Sequence, residues 1–130
     1  MIALTLPWPP SVNHYWRHQN GRHHISDQGV AFRIAVRSVV TIARTQTLSG
    51  RLAVEIQAYP PDRRSRDLDN ALKALLDALT HAGLWLDDEQ IDDLRIVRKA
   101  PEAPGALVVK VSTIDETTAR STRCARTGRR

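Results

Sequence analysis

A chain of 130 residues has room for one hydrophobic core, and 42% apolar with 25% charged residues is the ordinary mix of a globular domain. The lone Cys124 excludes a disulfide framework within the chain and a Cys-rich zinc site, and no apolar run approaches the ~20 residues that cross a bilayer. A net charge of +5 points to an anionic partner, yet residues 67–93 hold eight of the 14 acids and only one of the 19 Lys and Arg, so an acidic segment is set into a basic chain.

The opening MIALTLPWPP lacks the basic and apolar regions of a secretory signal, so a reducing, cytoplasmic setting is expected. Within it, residues 2–6 (IALTL) read as a strand that Pro7, Pro9 and Pro10 stop. Residues 8–24 carry Asn, Gly, Pro and four of the five histidines without a sustained period, and read as a long loop. A helix then opens at Ser26-Asp27-Gln28, with Ser26 or Asp27 as N-cap and Ser49-Gly50 as its stop. Its expected apolar stripe is Val30, Ala31, Ile34, Ala35, Ser38, Val39 and Ile42, with Arg33, Arg37 and Arg44 opposite.

Residues 51–59 alternate as a strand with one buried face, closed by Pro60-Pro61. A polar connection, 62–69 (DRRSRDLD), leads to the strongest helical pattern, 70–82, with a Leu72/Leu75/Leu76/Leu79/Ala82 stripe and Gly83 just past its end. Residues 94–100 and 106–114 read as two strands joined by PEAPG and paired antiparallel. From Asp115 onward the Thr- and Arg-rich sequence has no apolar face. The expected organisation is a single domain over 1–114 and a basic, disordered tail over 115–130. The fold class is α+β: a small mixed β-sheet with two helices packed on it, in the order β-loop-α-β-α-β-β.

The acidic segment supplies the candidate chemistry. Residues i and i+2 of an extended segment point the same way, so Asp67 and Asp69 can aim at one point just before the Leu-rich helix. Asp88 joins them if the chain doubles back after that helix. Such a cluster suits Mg²⁺, which takes one or two carboxylates and completes its shell with water and phosphate oxygens, and which serves phosphodiester hydrolysis. Lys73 lies one helical turn after Asp69 and can stand beside the site. Structural roles compete for the same residues: Asp67 or Asp69 as N-cap, Asp87 with Gln90 as a capping box, and Lys73 in a surface pair with Asp69 or Asp77.

Arg63, Arg64 and Arg66 precede Asp67, where guanidinium groups can hold phosphate. In the loop 8–24, Trp8, Tyr15, Trp16, Arg17 and Arg22 offer stacking and phosphate contacts, although Trp8 and Tyr15 could instead cover the core. The histidines there include His14 and His18, four apart, but no Cys lies nearby and the carboxylates cluster elsewhere, which argues against zinc. There is no Gly-rich phosphate loop and no Ser-His-Asp order, so no small-molecule organic cofactor is expected.

LPWPPSVNHYWRH, PDRRSRDLDNALKALLDAL and HAGLWLDDEQI, taken together, resemble the RusA-type Holliday junction resolvases of phages and prophages, from about residue 4 to about residue 113. The resemblance implies a Mg²⁺-dependent endonuclease, with Mn²⁺ as an alternative ion. It also implies a homodimer that resolves four-way DNA junctions by paired symmetric nicks. The family's metal-binding aspartates fall on Asp67, Asp69 and Asp88 and its essential lysine on Lys73. The DNA-contacting set is then Asn13, His14, Arg17, Arg63, Arg64, Arg66 and Lys73. Ser65 interrupts a basic run that family members can carry unbroken. The competing function is a non-catalytic, basic DNA-binding module whose acidic cluster is structural.

Overall fold

The structure is a computed structural model that describes residues 1–11, 16–19 and 22–114, with the backbone alone at 17–19 and 22–24. In chain order these form β1 (Ile2–Pro7), β2 (Trp16–Gln19), β3 (Arg22–Ile25), α1 (Asp27–Ile42) and β4 (Leu52–Tyr59). They continue with α2 (Leu68–Ala82), a 3₁₀ turn (Asp88–Gln90), β5 (Ile91–Arg98) and β6 (Ala106–Thr113). The expected tail, 115–130, lies outside the described residues.

Alternation builds the main sheet, whose strand order is β1-β6-β4-β5. Leu4 and Leu6, Leu52, Val54, Ile56 and Ala58, and Leu107, Val109 and Val111 all point to one buried face. Ala74, Leu75, Ala78 and Leu79 of α2, and Phe32, Val36 and Val40 of α1, complete the same core. The α+β class holds, with both helices contributing to the core on that face.

Three expectations are corrected. The strands β5 and β6 are not partners: β4 lies between them, parallel to β5 and antiparallel to β6. The connection between them passes beyond the end of β4, where the Lys99 N–H donates to the Ala58 carbonyl (2.8 Å) and the Glu102 N–H to the Pro60 carbonyl (2.7 Å). A hairpin needs adjacent strands, whereas the eight paired positions of β6 along β4 satisfy that strand's other edge.

The second correction is in the segment 8–24, which is not loop throughout, because β2 and β3 form an antiparallel hairpin pairing Trp16 with Ile25. The third concerns α1, which ends at Ile42 rather than near Ser49, and buries Gly29, Phe32, Val36 and Val40. Val30, Ile34 and Ile42 are exposed. Two apolar stripes compete on this helix, and the one containing the large Phe32 packs inward. Ser26 is its N-cap, accepting from the Gly29 N–H at 3.1 Å.

The helix α2 begins two residues earlier than its apolar period suggests and stops at Gly83, whose φ of +83° is the left-handed conformation that glycine adopts without strain. The chain then reverses. Leu84 and Trp85 are buried, and the Trp85 indole N–H donates to Thr80 Oγ1 (2.7 Å), which itself donates to the Leu76 carbonyl. This reversal carries Asp88 back along the flank of α2.

Candidate active site

Asp67 occupies the N-cap position of α2 in extended conformation, yet its side chain makes no capping hydrogen bond. Asp69 lies in the first turn, Lys73 one turn on and Asp77 a turn beyond, a single row at i, i+4 and i+8. Asp88 returns to the middle of this row and shares a groove with Leu72, Lys73, Leu76, Asp77 and Thr80. Asp67 instead faces a second recess with Trp8, Arg66 and Asn70. The doubling back is therefore real, and it brings Asp88 to Lys73 and Asp77. Among the described residues no three Asp, Glu, His or Cys side chains converge as ligands of one ion.

The other acids nearby are engaged. Asp62 accepts from the Arg64 N–H (2.9 Å) and from Arg66, and these bonds, that of Arg66 foremost, hold its carboxyl down at a pKa of about 2. Asp77 accepts from Arg33 (2.7 Å), so the expected Lys73–Asp77 surface pair is replaced by a bridge between the two helices. Arg33 also lies 5.8 Å from the Trp16 ring centroid, linking the hairpin to both helices. Glu89 and Asp92 both pair with Arg51. By contrast Asp67, Asp69 and Asp88 have no basic partner within ion-pair distance among the described residues, and neither does Lys73 have an acidic one. Asp27, Asp87, Asp93 and Glu102 share that condition, but Asp87 caps the 3₁₀ turn with its side chain and the other three lie on other elements.

Asp88 is held above the ordinary carboxylate range, first by partial desolvation, then by hydrogen bonding to Asp87 and repulsion from Asp87 and Asp77. Such surplus negative charge is what a bound cation relieves. Carboxylates without thiols fit a hard cation, and few are needed where water and phosphate oxygens complete its shell. The residues present therefore suit Mg²⁺ or Mn²⁺ by their chemistry.

Sequence reasoning marked the Asp87–Gln90 cap but missed the long-range bonds that fix this region. The Gln90 carboxamide oxygen accepts from the Leu86 and Asp87 N–H groups (2.9 and 3.0 Å), and its nitrogen donates to the Leu48 and Gly50 carbonyls (3.2 and 3.0 Å). With Asp87 this completes the capping box that the Asp87…Gln90 spacing foreshadowed. Arg51 donates to the Glu89 carbonyl (2.7 Å) and to Asp92, the extra residue where the β4–β5 register shifts. At the other end, Arg98 donates to the Arg66 carbonyl (2.6 Å), tying β5 to the residue before Asp67. No local pattern marks Arg51 or Arg98, because their partners are some 30 to 40 positions away in sequence.

Of the expected DNA contacts, Arg63 and Arg64 are exposed beside Asp67, whereas the Arg66 guanidinium is committed to Asp62. Asn13 and His14 lie outside the described residues, as does Tyr15, and for Arg17 only its place in β2 is described.

Comparison with known proteins covers the same span. A family model described as "Endodeoxyribonuclease RusA" matches residues 7–112. Among curated proteins, "Crossover junction endodeoxyribonuclease RusA" of Shigella sonnei (strain Ss046) is 45% identical over 111 residues, covering 85% of this chain and 92% of the relative. The protein of that name from Escherichia coli (strain K12) is 44% identical with the same coverage. One from Enterobacteria phage 82 is 44% identical over 110 residues, covering 84% of this chain and 92% of the relative.

Proposed function

This chain belongs to the RusA family of endodeoxyribonucleases, and we propose that it resolves four-way DNA junctions by paired symmetric nicks that depend on Mg²⁺ or Mn²⁺. The observation that carries this reading is the distribution of partners. Asp77, Asp87, Glu89 and Asp92 beside the reversal after α2 are taken up by arginines or capping, while among the described residues Asp67, Asp69 and Asp88 have no basic partner and Lys73, which shares a groove with Asp88, has no acidic one. Carboxylates kept only for capping or solubility need no such reservation.

In this reading Asp67, Asp69 and Asp88 would hold the metal ion, which would supply an activated water and stabilisation of the leaving oxygen. The Lys73 ammonium offers a compact charge to the phosphate as negative charge develops there. Arg63 and Arg64 hold the backbone alongside, with Asn13, His14, Arg17 and Arg66 in the same contact set. A homodimer matches the two-fold symmetry of a junction and offers one site to each of two opposed strands. The setting is the cytoplasm. No helix among the described residues is long and apolar enough to cross a membrane.

The test is cleavage of a synthetic immobile junction against a matched linear duplex, with Mg²⁺ or with EDTA. Symmetric nicks in the junction alone, abolished by EDTA, are the expected result. Junction binding without cleavage in any divalent ion would favour a non-catalytic DNA-binding module instead.

A further inference from the structure

The recess that Asp67 faces has a composition that metal binding does not account for. It is open to solvent, encloses about 460 Å³, and has Trp8, Pro9 and Pro10 on one side and Arg66, Asp67 and Asn70 on the other. That volume lies within the range of small-molecule sites and accommodates a nucleotide.

The apolar side is built rather than incidental. Trp8 packs on the core yet stays half-buried, so part of its side chain is left to the recess. It is seated against Gly105, where an added Cβ would come within 2.9 Å of the Trp8 Cβ and 3.0 Å of Pro61 Cδ, and where φ is +94°. Gly105 thus admits the close approach that sets the indole in place. On the polar side, Asn70 is half-buried in the first turn of α2, and its carboxamide has no hydrogen-bond partner among the described residues. No group among the described residues competes for that amide, so it is available to a ligand seated in the recess. An aromatic platform beside an unpaired amide is how proteins stack a base and read its edge.

We propose that this recess receives one unstacked nucleobase next to the scissile phosphate, stacked on Trp8 and hydrogen-bonded by Asn70. The inference rests on the endonuclease reading and assigns that site a base-binding pocket. Asp67 lines the same recess, so a base seated there sets the register of the strand against the metal-binding carboxylates. Arg66 lines the same recess with its guanidinium paired to Asp62.

The experiment is single-turnover cleavage, with Mg²⁺, of immobile junctions carrying each of the four bases, or an abasic site, at the nucleotides flanking the scissile phosphate. The enzymes are the wild type, Trp8→Phe, Trp8→Leu and Asn70→Ala, with thermal melts confirming that each variant is folded. At one flanking position the abasic site is expected to slow the wild type roughly 10-fold, the scale of base–aromatic stacking. Trp8→Phe keeps most of that sensitivity, Trp8→Leu loses it, and Asn70→Ala narrows the differences among the four bases. If the abasic penalty is equal in wild type and Trp8→Leu, and Asn70→Ala keeps the wild-type ranking of bases, the pocket is overturned while the endonuclease reading stands. If the wild type cuts no junction, both fall together.

Discussion

At the scale of single residues, the partner that each charge finds decides its use. Lys73 illustrates this. It lies on an exposed face of α2 and contributes nothing to the core, and Arg33 has taken Asp77, the partner that would have made it a surface ion pair. Lys73→Ala is therefore expected to melt like the wild type but to cut a junction ~10²–10³-fold more slowly in single turnover, the usual loss when a positioned charge is removed from a transition state. Lys73→Arg should recover only part of the rate, because a planar guanidinium cannot put its charge where an ammonium stood. Asp62 is the opposite case, an acid whose role is wholly structural. Its carboxyl is held at about 2, below the ordinary 3.8, so its bonds with Arg64 and Arg66 are complete above that ordinary value. They are expected to fail as the pH falls through about 2. An NMR titration of the Asp62 carboxyl carbon checks this, and a midpoint near 4 would mean that the loop before Asp67 is not held this way.

At the scale of elements, helix α2 and the reversal after it carry the site, and the reversal depends on one side chain. Gln90 uses both ends of its carboxamide, accepting from two N–H groups of its own turn and donating to two carbonyls of the segment before β4. Gln90→Glu keeps the acceptor and replaces the donor with a charge facing two carbonyl oxygens. It is expected to destabilise the fold by about 1–3 kcal/mol, the cost of leaving such groups unsatisfied. It should also slow nicking by releasing the turn that carries Asp88. Urea denaturation and single-turnover cleavage of the same preparation check both effects. Much of this level is legible in the sequence. The Leu-rich period locates α2, Gly83 marks its end, and the Asp87…Gln90 spacing signals a cap. The buried stripe of α1 is not legible, because Val30, Ile34 and Ile42 repeat at helical spacing as well as Phe32, Val36 and Val40 do. Periodicity alone does not choose between two such stripes. The separation of β5 from β6 is hidden too, because closeness in sequence favours a hairpin, whereas β4 takes a neighbour on each edge.

At the scale of the whole molecule, a basic chain presents an acidic centre, and the boundary between the two is the loop before α2. Arg63 and Arg64 are exposed there, while Arg66 turns back to Asp62. Replacing Arg63 and Arg64 together with Ala is expected to flatten the dependence of junction affinity on salt. The log–log slope should fall by about 0.9 for each phosphate on duplex-like arms that is no longer neutralised. Replacing Arg66 alone should change that slope much less and lower stability instead. Binding titrations across salt concentrations separate these outcomes, and an unchanged slope in the double variant would put both arginines away from DNA. Spacing and family resemblance nominate the candidate carboxylates. Their division between two sides of α2 is not legible in the sequence, because it depends on how far the chain runs back after Gly83, a distance set by the packing of Leu84 and Trp85.

That division makes the aspartates the decisive residues. The most direct measurement compares single-turnover nicking of an immobile junction by the wild type, Asp67→Asn, Asp69→Asn and Asp88→Asn, with junction affinity measured in the same samples. Even residues that only support a metal ligand cost ~10–100-fold when changed, so each substitution should slow nicking at least that much. Each should leave binding equal to or tighter than the wild type, since a carboxylate that repels phosphate has been removed. A wild-type rate from any one of the three would remove that residue from the metal site, and wild-type rates from all three would contradict the account.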